Sequence, residues 1–219
     1  MRTAGEIYAD YKIMPSLQLH QLRVAGVGKL ICDSYTEPIN THDVLLECLF
    51  HDMGNLVKSN LSYFPDFTEP EGIEYWERIQ VEFIAKYGAE QHAANTAIAR
   101  EIGLPDRIIE IMNQTGFSRL PSIVENESPE LKVCQYADIR VGPRGVLQLD
   151  ERIEEGRKRY IVRMQKENLP DRGHIFGTAV SEAKDLERQI FSHTSLKPGD
   201  ITDATVAPLI EELRQYPVS

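Results

Sequence analysis

Apolar residues recur with a helical period of about 3.6 along almost the whole chain, and no run alternates apolar and polar residues as a half-buried strand would. Helical segments are predicted near 15–34, 42–58, 73–87, 89–102, 105–114, 129–141, 145–168, 174–194 and 205–215. Local punctuation agrees with this spacing. Gly103 closes one segment, Pro105 opens the next, and Ser128-Pro129-Glu130 reads as N-cap, first-turn proline and first-turn acid. Residues 59–72 carry two prolines, three aromatics and no helical period, so a loop is expected there. Its Tyr63, Phe64 and Phe67 either stack on a ligand or pin the loop to the core. The fold class expected is all-α, a compact single-domain helical bundle over 1–219.

What such a bundle would bury is informative. His20, Val24, Val27 and Ile31 fall at i, i+4, i+7 and i+11, which turns the histidine toward the core. In the next segment His51 shares the face of Val44 and Cys48, and Asp52 that of Leu45 and Leu49. Asp138 lies with Leu131, Cys134 and Val141. An ionised carboxylate turned inward needs a cation or a tight hydrogen-bond network. Adjacent helical residues diverge by about 100°, so His51 and Asp52 would share one ion only over the ridge between them, with other helices completing the shell. A second pair, His42-Asp43, follows Asn40-Thr41 at a helix start, where an acid is favoured by the helix dipole, and reads as a capping feature.

His20 with Arg23-Val24 behind it, the run Leu49-Phe50-His51-Asp52-Met53-Gly54, and Tyr136-Ala137-Asp138 resemble the H…HD…D signature of the HD-domain phosphohydrolase superfamily. The resemblance covers roughly 15–142, leaving the helices of 145–215 to pack on that core. It implies a helical HD-type domain in which His20, His51, Asp52 and Asp138 hold a divalent metal. It also implies hydrolysis of a phosphoester, of a nucleotide or another small phosphorylated metabolite, by metal-activated water. His92 matches a place where many members carry a further histidine. Binuclear members add a His-His pair where this chain has Asn113-Gln114, which argues for one ion. Two histidines and two aspartates suit Mn, Fe, Co, Ni, Zn or Mg to different degrees. A di-iron oxygenase of the same fold would need the missing histidines, and a non-catalytic metal-binding signalling module is the other alternative.

Catalytic roles are expected for Asp52, which would steer water, for His92, which would contact phosphate or protonate a leaving group, and for the cations Arg23 and Lys58. Arg140 is a further phosphate-binding candidate, and Asn55 is placed to orient water. A net charge of −10 opposes general nucleic-acid binding, because phosphate backbones require a basic face. No apolar run reaches the roughly 18 residues that span a bilayer, and the N-terminal residues lack the apolar core of a signal peptide, so a cytoplasmic protein without membrane attachment is expected. Cys32, Cys48 and Cys134 are odd in number, widely spaced and set in apolar patterns, which predicts reduced core thiols.

Overall fold

A computed structural model describes residues 2–167 and 173–218. The helices are α1 (Ala4–Asp10), α2 (Pro15–Ser34), α3 (Thr41–Phe50), α4 (Ile73–Tyr87), α5 (Gln91–Ile102) and α6 (Asp106–Gln114). They continue with α7 (Leu120–Val124), α8 (Pro129–Arg140), α9 (Leu149–Glu167), α10 (Gly173–Phe191), α11 (Asp203–Val206) and α12 (Ile210–Arg214). The all-α expectation holds among the described residues, with one small departure. Arg2–Thr3 and Pro217–Val218 form a two-stranded antiparallel pair that ties the two ends of the described chain together. Strands of two residues are too short to leave an alternating pattern in the sequence. The same limit hid α1, whose start is fixed by a capping box between Thr3 and Glu6, and α7. The last residue of the predicted 145–168 helix lies outside the described residues. Residues 205–215 divide into α11, a 3-10 turn at Ala207–Leu209 and α12, because Pro208 interrupts the helical hydrogen bonding.

The centre of the molecule is α2, which packs along α3 and α8 while α3 packs on α8. Gly28 makes the close approach possible, since a Cβ there would stand 3.1 Å from Val44 Cγ1 and 3.3 Å from the Cys48 sulfur. Val24, Val27, Ile31, Val44, Cys48, Leu131 and Cys134 fill the interface between the three helices. This packing positions the candidate site, because the three helices carry or lead into His20, His51, Asp52 and Asp138.

One boundary differs from expectation in a way that matters. The predicted helix over 42–58 stops at Phe50, a tight turn follows, and a short 3-10 helix covers Asn55–Lys58. Gly54 is pressed against α5, where a Cβ would lie 2.6 Å from the Asn95 backbone nitrogen and 2.9 Å from the Gln91 carbonyl oxygen. Asn95 fastens the turn, accepting from the Gly54 N–H at 3.0 Å and donating to the His51 carbonyl. His51 is the C-cap of α3, still with helical dihedrals of −62° and −23°, and Asp52 follows it in the turn.

Two charged residues have other partners than the sequence implied. Asn40, not Asp43, is the N-cap of α3, accepting from the Asp43 N–H at 3.2 Å. The buried Asp43 carboxylate instead receives Arg107 of α6 in a bidentate pair, at 2.7 and 2.8 Å. Asp43→Ala should cost about 1.5–3 kcal/mol, the range for hydrogen bonds to charged groups and more than a lost cap alone. Denaturant midpoints of Asp43→Ala, Arg107→Ala and the double variant test this. Strictly additive losses would show that the pair contributes nothing. Arg140, a phosphate-binding candidate by sequence, is fully buried and cannot meet a ligand. Its guanidinium bonds the Leu147, Pro198 and Ile201 carbonyls and the Tyr136 hydroxyl, joining α8 to the segments that follow it.

Candidate metal centre

His20 projects from the second turn of α2, His51 and Asp52 from the turn after α3, and Asp138 from the last turn of α8. Their side chains converge. His20 Nε2 lies 3.3 Å from Asp138 Oδ1 and 3.8 Å from Asp52 Oδ2. His51 Nε2 lies 3.5 Å from the same Asp138 oxygen and 3.9 Å from the same Asp52 oxygen. The two imidazole rings are 5.5 Å apart at a 55° tilt, so both nitrogens face one point from different sides. Ligand atoms of His20, His51 and Asp52 all fall within 4.8 Å of one another.

The surroundings fix how each group is presented. His51 Nδ1 is 2.9 Å from the Cys48 carbonyl, an acceptor only, so that nitrogen carries a proton and Nε2 is the one turned toward the site. His51 Nε2 is buried and has no hydrogen-bond partner. Asp52 is held by amides: Asn55 Nδ2 donates to Oδ2 at 2.9 Å and Gln91 Nε2 to Oδ1 at 3.1 Å. Its backbone N–H donates to Gln21 Oε1 at 3.2 Å. Both carboxylate oxygens are thereby oriented, with Oδ2 turned toward the two histidines.

The electrostatics match a set built around positive charge. Burial acts to lower the pKa of His51, yet the carboxylates of Asp52 and Asp138 outweigh it and raise the pKa well above the usual histidine value. Burial acts to raise the pKa of Asp138, and the imidazoles of His20 and His51 facing it at 3.3 and 3.5 Å hold it well below the ordinary carboxylate range. The donor chemistry fits a divalent ion: two imidazoles, at least one with a free inward nitrogen, and two oriented carboxylates.

The remaining sequence candidates are more scattered. Arg23 lies one turn beyond His20 and pairs with Asp203 at 3.6 Å. It lines a groove of about 360 Å³ with Ser16, Leu19, Phe67 and Arg144. Lys58 is exposed at the end of the 3-10 turn and has no ion pair among the described residues. His92 is exposed in the first turn of α5, and its neighbour Gln91, unremarked in the sequence, is the residue that reaches Asp52. Asn55 bonds Asp52 directly, so it serves to orient that carboxylate. Asn113 accepts from the Thr96 hydroxyl at 3.0 Å, and Gln114 donates to the Glu110 carbonyl.

Loop 59–72 is secured from within. Phe64 and Phe67 stack on each other at 4.9 Å, Arg144 covers the Phe67 ring, and Trp76 and Gln80 of α4 bond loop carbonyls. Gln21, Gln91 and Asn95 were missed because a lone amide carries no periodic or motif signal; only its placement gives it a role. No family model, curated protein or solved structure matches this chain.

Proposed function

We propose that this chain is a phosphohydrolase of HD type, using one divalent ion held by His20, His51, Asp52 and Asp138 to cleave a small phosphoester. The observation that carries the reading is His51 Nε2: a buried, unpartnered nitrogen aimed at two carboxylate oxygens and a second imidazole. Leaving such an atom unpaired costs about 1–3 kcal/mol, a cost that a bound cation removes. An ion there supplies Lewis acidity toward a phosphoryl oxygen and lowers the pKa of water.

The chain's own groups do the rest. Asp52, held by amide donors on both oxygens, is the acceptor that orients the attacking water. Lys58, exposed and without an ion pair among the described residues, is available to neutralise phosphate charge, which a chain of net charge −10 must do locally. Arg23 borders the groove beside the turn that carries His20, where the organic part of a substrate has room. His92, exposed beside Gln91 on α5, is the group assigned to protonate a leaving alkoxide. The oxygenase alternative has little support, because Asn113, where another histidine would be needed, is bonded to Thr96.

A panel of nucleoside monophosphates, nucleoside triphosphates and sugar phosphates, assayed with and without added manganese, tests the reading. Metal-dependent phosphate release from at least one is expected, and no release from any with the metal site loaded would leave the binding-module alternative. On whichever ester is hydrolysed, Lys58→Ala should lower kcat/KM about 10–100-fold, the equivalent of a lost charge-assisted contact of roughly 1.5–3 kcal/mol. Metal content and thermal midpoint should not change. Unchanged kcat/KM would return Lys58 to the solvent.

A further inference from the structure

Glu47 lies one turn before His51 on α3, with a side chain only 2 % exposed. Among the described residues no lysine, arginine or histidine nitrogen pairs with it. The Thr115 hydroxyl stands 3.4 Å from Oε1, but it is 2.9 Å from the Met112 carbonyl, and its single proton goes to the nearer acceptor. What remains to Glu47 are two thiols, Cys48 beside it on α3 and Cys134 across the interface on α8, each with its sulfur within 4.8 Å of a carboxylate oxygen, although the Cys134 thiol donates to the Val44 carbonyl at 3.9 Å. Burial without a cation pushes the pKa of Glu47 up, toward the neutral acid, and a buried acid beside two thiols calls for a cause.

The three side chains make a set of their own. Ligand atoms of Glu47, Cys48 and Cys134 lie within 4.8 Å of one another, and all three residues are buried. Donors around one tetrahedral zinc stand roughly 3.5–4 Å apart, given Zn–S bonds of about 2.3 Å, so closing the set requires a contraction of about 1 Å at most. Thiolates select soft cations, whereas the imidazoles and carboxylates of the first centre accept harder ones.

We propose that Glu47, Cys48 and Cys134 form a second, thiolate-rich site that takes zinc or a similarly thiophilic divalent ion. The ion replaces the protons of the two thiols and that of the Glu47 carboxyl where it is protonated, which leave to solvent, and meets the resulting carboxylate with positive charge. The site adjoins the first centre through Cys48, whose carbonyl receives the His51 Nδ1 proton. An occupied Cys48 would thus stiffen the residue that orients a ligand of the first centre.

Cadmium is the probe, because its thiolate complexes absorb in the ultraviolet. The full chain is refolded with excess cadmium, so that access to the core does not limit loading, then desalted. Two cadmium ions per chain and a thiolate-to-cadmium band are expected. Cys48→Ser/Cys134→Ser should lose the band and one ion. His20→Ala/Asp138→Ala should lose one ion and keep the band, which separates this site from the proposed hydrolytic centre. Cys32→Ser, which leaves the cluster intact, should keep the band in full and serves if the double serine variant does not fold. Folded wild-type protein that binds cadmium without the band would overturn the proposal, as would a band that survives in the double serine variant.

Discussion

Asp52→Ala protein takes up no manganese, while the wild type binds close to one ion per chain at the His/Asp centre; that is the first expected result. Manganese is the informative ion because thiolates hold it weakly, so it reports on His20, His51, Asp52 and Asp138 without counting the cysteines. Asp52 matters beyond its own bond. Its Oδ2 lies near both imidazole Nε2 atoms, and its removal leaves the Asn55 and Gln91 amides without their acceptor. Manganese at 100 times its Kd should stabilise the wild type by about 2.7 kcal/mol. For a chain of this size that raises Tm by roughly 5–11 °C. Asp52→Ala should show no such rise, and Asp43→Ala should show it in full, since Asp43 is committed to Arg107. Titration calorimetry and melting with and without manganese decide it. Equal uptake by Asp52→Ala and wild type would remove Asp52 from the ligand set and with it the proposed function.

The second large effect concerns stability. Arg140→Ala should lower it by about 3–5 kcal/mol, the range for breaking a buried charged network, which is about 6–20 °C in Tm. The guanidinium is fully buried and holds the Leu147, Pro198 and Ile201 carbonyls, with Ile201 at 2.9 Å. It also bonds the Tyr136 hydroxyl at 2.6 Å, which in turn donates to Glu187 of α10. Deleting it strands several acceptors at once, and an alanine there leaves a cavity. Arg140→Lys keeps the charge but cannot reach all these partners with one ammonium, so it should fall between the two. A Tm within 2 °C of wild type for Arg140→Ala would show that the network contributes little.

The sequence by itself determined that the described chain is helical and which apolar faces turn inward. A period of 3.6 says which side of each helix is buried, and that is enough to mark His20, His51, Asp52 and Asp138 as polar groups pointed at the core. Caps written in adjacent residues, such as Ser128 before Pro129, were legible for the same reason: the bond and the residues that make it are local. Periodicity says nothing, however, about what a buried face meets. Asp43 and Arg107, Asp52 and Gln91, and Arg140 and Ile201 are paired across 64, 39 and 61 residues of sequence. Tertiary packing alone decided that Asp43 forms an ion pair and that Arg140 is a buried staple. Only packing could end α3 at Phe50, since the close approach of Gly54 to α5 and the two bonds from Asn95 fix that turn. Packing also carries His20 and Asp138, from two other helices, up to His51 and Asp52, which no local signal specifies.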